Sequence, residues 1–232
     1  MTMMKLKNGL AALTLAVLIN LCAGNAWAAS SPFAAVEVIA PVGKTIDAKA
    51  AVKIGGNFGL QASSFYTWKN HLVVYGKLTR ISLLRHQLET AYPKTAIKVY
   101  QNPFYDFDRA QRCKTGVVKE WDNILLTANL VANPKMQREY LNYHATQFQK
   151  WPEVSQGFCN AQFQQLLVFR NGRQLMLIIS IPKGGDLDKL NPLTSKNNPR
   201  VDEWNKLMGK YQEGIPGTAK GESWVFLKPV GK

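Results

Sequence analysis

Residues 140–154 read Tyr-Leu-Asn-Tyr-His-Ala-Thr-Gln-Phe-Gln-Lys-Trp-Pro-Glu-Val. Tyr140, His144 and Phe148 recur every four residues, so on an α-helix of 3.6 residues per turn they share one face. Pro152 lacks a backbone N–H and disfavours the helical conformation of Trp151, which predicts that the helix ends just before this tryptophan. The aromatic face of the predicted helix is consistent either with a sugar-binding wall or with ordinary hydrophobic core.

The segments on both sides of this helix predict an alternation of strands and helices. Downstream, residues 162–169 and 173–181 predict a hairpin about the turn dipeptide Asn171-Gly172. Together with the helix, the strands at 124–130 and 224–229 and a second helix at 201–211 give the order βαββαβ. The upstream chain predicts the same order, in runs at 36–42, 45–54, 59–68, 71–78, 79–92 and 95–100.

This repeated order predicts an α+β fold made of tandem ferredoxin-like βαββαβ units after an N-terminal signal peptide. The predicted boundaries are a signal peptide at 1–28, a first unit at 29–101, a linker at 102–122 and a second unit at 123–232. In each unit both helices cover one face of an antiparallel sheet, so the other face needs a partner.

Four segments of the second unit resemble the L-rhamnose mutarotase family: the helix quoted above, the hairpin at 167–181, the helix at 198–208 and the strand at 224–229. The resemblance covers residues 124–230. Single-unit members of that family form dimers whose sheets make an α/β barrel, which implies that the first unit here completes a dimeric-α/β-barrel-like pseudo-dimer within one chain. Alternatively, the second units pair between chains as a homodimer.

The resemblance also implies a site. His144 would be the catalytic proton donor, Tyr140 would bind the sugar or orient His144, and Trp204 would line the pocket. Asn205 stands where the family often has a second tryptophan and would contact the substrate, which leaves the identity of the sugar open. The family's usual spacing from histidine to tryptophan would instead place Gln147 at the histidine position, so Gln147 is a further candidate substrate-binding residue.

Mutarotation requires only proton transfer. One group donates a proton to the ring oxygen while another accepts the proton of the anomeric hydroxyl, and a histidine suits both roles near neutral pH. No cofactor and no metal is expected, since the sequence has only three histidines and no Cys-x-x-Cys or His-x-x-x-His pattern.

The expected function is therefore an exported sugar mutarotase of the aldose 1-epimerase type, acting on L-rhamnose or a related 6-deoxyhexose, with a monosaccharide as its small-molecule partner. A second hypothesis is a non-catalytic periplasmic sugar-binding or scaffold protein with a mutarotase-like barrel. A third is another barrel enzyme, such as a cofactor-independent or haem-handling monooxygenase, because one fold supports unrelated chemistries.

The N-terminus predicts export. Lys5 and Lys7 precede an apolar run at 10–21 and the small-x-small site Ala26-Trp27-Ala28, the pattern of a cleaved secretory signal peptide. A periplasmic or secreted protein with no integral membrane span after cleavage follows, and lipid attachment at Cys22 is the alternative. Outside this segment only Cys113 and Cys159 remain, and an oxidising compartment would allow them to form a disulfide.

The chain is strongly basic, with a formal net charge of +14. Its lysines and arginines are scattered rather than clustered, which favours solubility and attraction to acidic glycans or membrane surfaces over specific nucleic-acid binding.

Overall fold

The computed structural model describes residues 31–231; the predicted signal peptide and Cys22 lie outside the described residues. The strands are β1 (Phe33–Ile39), β2 (Phe65–Trp68), β3 (His71–Lys77), β4 (Ala96–Tyr100), β5 (Tyr105–Asp108), β6 (Trp121–Leu130), β7 (Gln165–Asn171), β8 (Gln174–Pro182), β9 (Gln212–Glu213) and β10 (Val225–Pro229). The α-helices are α1 (Ala48–Gly56), α2 (Ile81–Ala91), α3 (Arg109–Arg112), α4 (Pro134–Ala145), α5 (Gln147–Lys150), α6 (Pro152–Asn160), α7 (Leu187–Leu190) and α8 (Pro199–Gly209), and Ala62–Ser64 and Asn191–Thr194 are short 3₁₀ helices. The predicted α+β class is confirmed.

Local sequence explains several element boundaries. The Asp47 side chain accepts a hydrogen bond from the Lys49 backbone N–H and so caps α1. Asn133 caps α4 in the same way, and Pro134 occupies its first turn, where no N–H is needed. Between β7 and β8 the chain turns at Gly172, whose φ of 60° favours glycine.

Two regions differ from the sequence-based expectation. The predicted helix over 134–150 is interrupted at Thr146, so that α5 forms a separate single turn, and a further helix, α6, begins directly at Pro152. The segment 102–122, treated above as a linker, contains β5 and α3. Neither feature has a clear periodic signal, because each of these elements has nine residues or fewer.

The described strands form one antiparallel sheet in the order β4-β1-β3-β2-β10-β6-β8-β7-β5, with β9 paired to β6. The sheet contains two sets of four main strands: β1 to β4, and β6, β7, β8 and β10. If the strands of each set are counted in chain order, both sets have the spatial order fourth, first, third, second. They join where β2 pairs with β10, with Thr67 opposite Lys228 and Tyr66 opposite Pro229. Near the other edge the Asn171 side-chain amide donates to the Val99 carbonyl at 3.0 Å.

Three hydrophobic clusters fill the spaces on the two faces of this curled sheet. One lies between the first four strands and helices α1 and α2, and another lies between the later strands and helices α4, α6 and α8. The third joins residues of both strand sets, with Tyr66 and Val73 packed together with Leu125, Leu167 and Ile178. The inner faces of the two strand sets therefore pack in one common core.

Cys113 and Cys159 form a disulfide across 46 residues. It connects the segment after α3 to α6. Arg109 reinforces the connection, since its guanidinium donates to the carbonyls of Thr115 at 2.9 Å and Cys159 at 3.0 Å. Within residues 31–231 no helix is long and apolar enough to cross a membrane.

Candidate functional site

A cavity of about 330 Å³ lies between the outer face of the later strands and helices α4, α6 and α8. Apolar and aromatic side chains form most of its lining, and its polar groups are few. This composition is typical of small-molecule sites, where a few hydrogen-bonding groups fix the orientation of a ligand held by apolar contacts. The lining includes Tyr105, Tyr140, His144, Val154, Phe158, Phe163, Leu166, Val168, Leu177, Ile179, Asn191, Trp204, Asn205, Met208, Gln212 and Trp224.

His144 lies in the last turn of α4 and is 8% exposed. Its Nδ1 is 3.0 Å from the Tyr140 carbonyl oxygen, an acceptor, so Nδ1 holds the proton of the neutral ring and Nε2 has a free lone pair. Burial lowers the pKa of His144 from 6.5 to about 4, although the hydrogen bond to the Tyr140 carbonyl opposes the shift. At neutral pH His144 is therefore an uncharged proton acceptor.

Tyr140 lies one turn before His144, with the two ring centroids 4.3 Å apart. Its hydroxyl oxygen accepts a hydrogen bond from Gln212 Nε2 at 3.2 Å, and Gln212 Oε1 in turn accepts from Trp224 Nε1 at 2.9 Å. Because the bond from Trp224 identifies Oε1 as the oxygen of the Gln212 amide, the amide nitrogen must be the donor to Tyr140. The Tyr140 O–H is not used in this bond and is able to donate to another group. Burial raises the pKa of the Tyr140 hydroxyl above its usual range, so it stays protonated.

Trp204 and Asn205 both reach the cavity from α8. The Trp204 ring is 7% exposed and meets the His144 ring edge-on, with centroids 5.2 Å apart. Behind it, Trp151 packs edge-on at 5.6 Å, with the Arg200 guanidinium 3.8 Å from the centroid of Trp151. Asn205 is exposed and contributes a polar side chain to the lining.

Gln147 is not brought to the cavity. Its side chain is fully buried, its Nε2 donates to the Trp151 carbonyl at 2.7 Å, and its Oε1 accepts from the Tyr105 hydroxyl at 2.7 Å. Both ends of the amide are thus bound to protein atoms. The break at Thr146 separates Gln147 from the helix turn that presents His144.

The lining residues without an assigned role in the sequence analysis include Tyr105, Gln212 and Trp224. Tyr105 lies in the segment treated as a linker, and its ring meets the His144 ring edge-on at 5.3 Å. Trp224 begins the strand that resembles the family's last strand, so the resemblance was a signal for it. Gln212 had none, because a single glutamine in the short strand β9 acquires its role only through the two side chains it connects.

Groups of three or more His, Cys, Asp or Glu side chains that could hold a metal ion are absent from residues 31–231. The arrangement in this cavity instead combines a neutral imidazole, a protonated phenol and tryptophan rings. It is able to accept one proton and donate another within an apolar enclosure.

Comparison with known proteins agrees with this description. The family model for L-rhamnose mutarotase matches residues 123–230. An L-fucose mutarotase of Xanthomonas campestris is 33% identical over 75 residues, 32% of this chain and 58% of the relative. A UPF0734 protein of Dictyostelium discoideum is 30% identical over 104 residues, 41% of this chain and 77% of the relative. The chain thus spans little more than half of the fucose enzyme's length. Residues 123–230, which hold all of the cavity lining except Tyr105, make this chain a member of the L-rhamnose mutarotase family.

Proposed function

We propose that the protein is a sugar mutarotase that interconverts the α and β anomers of L-rhamnose or a related 6-deoxyhexose such as L-fucose. The observation that supports this most strongly is the pairing of two groups on one cavity. His144 presents a free lone pair and Tyr140 presents a free O–H, within the segment that belongs to the family.

In the proposed mechanism His144 acts first as the base. Its Nε2 accepts the proton of the anomeric hydroxyl as the bond from C1 to the ring oxygen breaks, and the electron pair of that bond passes to the ring oxygen. The Tyr140 O–H hydrogen-bonds the ring oxygen and stabilises the developing negative charge. After rotation about C1–C2 the ring recloses on the other face of the aldehyde, and His144 returns its proton to the new anomeric oxygen.

This mechanism changes the role that the resemblance implied for His144. A histidine acting as proton donor from the start would need a protonated ring, whereas burial keeps this one neutral at ambient pH. A neutral base and a protonated phenol can start the reaction without a net charge in the cavity.

The cavity lining suits a 6-deoxy sugar. The Trp204 and Trp224 rings offer apolar faces for sugar C–H groups, and an indole N–H is a further donor when it is free. The Trp224 N–H is already bound to Gln212, so this ring contributes its face and its packing. Apolar residues of β7 and β8 supply a surface for the methyl group that replaces the hydroxymethyl group of an ordinary hexose. Asn205 is a candidate for hydroxyl recognition.

The proposal includes a tandem ferredoxin-like architecture and export. The shared inner core of the two strand sets supports a pseudo-dimer, because the sheet face that a single unit would leave open is covered within the chain. The protein is then a monomer with one active site. The alternative is a homodimer in which the second units of two chains pair. The Cys113–Cys159 disulfide supports an oxidising, periplasmic or secreted location and thus cleavage of the N-terminal segment.

The test is anomer exchange of L-rhamnose and L-fucose, measured by proton NMR saturation transfer. We expect exchange above the buffer rate, reduced roughly 10²- to 10⁴-fold in His144→Ala, as is usual when a general base is lost. His86→Ala is the matched control, since His86 is exposed on α2, and it should leave exchange unchanged. The Gln147→Ala variant should exchange the anomers at the rate of the unmodified protein at any temperature at which the variant is folded.

Two outcomes would contradict the proposal. Binding of either sugar without exchange would identify a sugar-binding protein, the alternative function. Equal exchange in His144→Ala and the unmodified protein would mean that another group is the base.

A further inference from the structure

A second, larger cavity of about 670 Å³ lies at the end of the sheet where β1, β6 and β7 finish and β3, β4 and β8 begin. None of its lining residues also lines the His144 cavity. It is bounded by both strand sets, with His71 and Lys98 from the first and Asn171, Arg173 and Gln174 around the second hairpin. The proposed mutarotase reaction uses none of these residues.

A buried polar network lies beside this cavity, centred on the fully buried Glu37. One carboxylate oxygen accepts from His71 Nδ1 at 2.7 Å and the other from the Tyr100 hydroxyl at 2.7 Å. Gln174 Nε2 lies 3.0 Å from both oxygens and also 3.0 Å from the Thr127 hydroxyl. A buried carboxylate is costly unless it is hydrogen-bonded, and here both oxygens are.

The network orients His71 towards the cavity. Because Nδ1 is committed to Glu37, the other ring nitrogen, Nε2, is left for a different partner. The His71 side chain has no other hydrogen bond among residues 31–231, and His71 is part of the cavity lining. An oriented imidazole beside an open space of this size is a feature expected of a ligand site.

The charged side chains of the lining are all cationic. Lys94, Lys98 and Arg173 line the cavity, and no carboxylate of the described residues does. Lys98 Nζ donates to Gln174 Oε1, which places this ammonium next to the buried network. The nearby Glu213 is paired with Arg173 at 2.6 Å, and Glu37 is fully buried behind its partners His71, Tyr100 and Gln174. A cavity with this charge balance attracts anions.

We propose that this cavity is a second binding site for a small anion bearing a carboxylate or phosphate group, whose charge is held by Lys98 and Lys94 and whose hydroxyl group donates a hydrogen bond to Nε2 of His71. Its volume falls within the range of about 300–1,000 Å³ that small-molecule sites occupy. The network that joins the two strand sets therefore also serves to orient a ligand-binding imidazole. This proposal is independent of the mutarotase activity.

The test uses the Hε1 proton resonances of the histidines, of which the chain has three: His71, His86 and His144. Each is assigned from the variant that lacks it. The purified protein is titrated separately with D-glucuronate, inorganic phosphate and, as the neutral control, D-glucose. We expect at least one anion to shift the His71 resonance saturably, with a Kd of about 1 mM or tighter, and glucose not to shift it.

Two variants link the shift to the cavity. Lys98→Met should weaken binding roughly tenfold, the loss of one favourable charge contact. Lys94→Asn should also weaken it, and it is a mild change for the fold, since Lys94 has a φ of 64°, a left-handed conformation that asparagine tolerates. Lys53→Met, an exposed lysine on α1 away from the cavity, is the matched control and should bind normally.

A response to phosphate alone assigns a phosphate ligand, a response to glucuronate alone assigns a carboxylate, and a response to both means that the anionic charge is the recognised feature. An unmoved His71 resonance with both anions, or equal shifts in Lys98→Met and Lys53→Met, would overturn the proposal and leave the network a purely structural connection. L-rhamnose added to the same sample reports separately on His144.

Discussion

The two strand sets have the same strand order, yet their helix-covered faces differ in how they are filled. In the first set Phe65, Leu72, Leu84 and Leu88 are fully buried between the sheet and helices α1 and α2. Gly55 on α1 lies so close to Phe65 that an added Cβ would be 2.3 Å from the ring. In the second set the corresponding space contains the cavity of about 330 Å³.

Both sets have the same strand order, but only the second contains this cavity. The presence of the cavity therefore depends on the helices that cover the sheet and on the side chains they carry. The rings of Trp151 and Trp204 and the extra helices α5 and α6 occupy the second layer, and the cavity lies among them. Four predictions test this contrast.

The disulfide should make the largest contribution to stability, because it fixes α6, which supplies Val154 and Phe158 to the cavity wall. A crosslink over 46 residues removes chain entropy from the unfolded state worth about 4 kcal/mol. We expect the double variant Cys113→Ser, Cys159→Ser to lose about this much free energy of unfolding in urea titrations. Dithiothreitol should lower the stability of the unmodified protein similarly and leave the variant unaffected; a stability loss well under 1 kcal/mol would contradict the prediction.

Leucine truncation should separate the packed layer from the layer with the cavity. Leu84→Ala removes a fully buried side chain from the first layer and should cost about 3 kcal/mol. Leu177→Ala, at the half-buried wall of the cavity, should cost roughly half of that, because its side chain already borders open space. Equal losses in chemical denaturation would mean that the two layers are packed alike.

The buried neutral His144 should make the second layer sensitive to acid. The folded-state pKa of His144 is lowered to about 4, while the unfolded state binds its proton near pH 6.5, so stability is lost as pH falls between these values. From about pH 7.5 to about pH 5 the loss should be about 2 kcal/mol larger than in His144→Gln, measured by urea unfolding of both proteins. For the same reason anomer exchange should stay constant down to about pH 5, and a fall in exchange centred near pH 6.5 would contradict the lowered pKa.

The close contact at Gly55 gives the smallest effect. In Gly55→Ala the new methyl group has to displace the Phe65 ring, and the gain in helix propensity of about 1 kcal/mol offsets part of that cost, leaving a net loss of about 1 kcal/mol. Gly56→Ala is the matched control, since an added Cβ there meets no atom within 4 Å, and it should be neutral or stabilising. A stabilised Gly55→Ala variant would show that the first layer has room to adapt.

Much of the fold followed from the sequence. The alternation of periodic segments predicted the α+β class and the order of most elements, because apolar spacing of two or near 3.6 residues reflects which face of an element is buried. The elements that were not predicted, among them β5, α3, α6, α7 and β9, have nine residues or fewer. At that length no period is visible, and tertiary contacts decide the conformation.

The candidate site divides in the same way. Tyr140 and His144 were predicted to share a helix face from their spacing, and the structure places both on one cavity together with Trp204 and Asn205. Their catalytic and binding roles remain predictions. The tautomer of His144, its lowered pKa and the hydrogen bond from Gln212 to Tyr140 depend on burial and on residues distant in sequence.

By itself the sequence determined the helix face that presents Tyr140 and His144, since residues four apart meet on any α-helix. The sequence left open whether His144 or Gln147 reaches the cavity. It also left open whether Cys113 and Cys159 form a disulfide. The tertiary structure decided those points: it buried Gln147 against Tyr105, joined Cys113 to Cys159, and brought Gln212, which is bound to Trp224, to Tyr140. The physical reason is that local spacing specifies only neighbours within one element, whereas these contacts join elements far apart in sequence and form only when their layers pack.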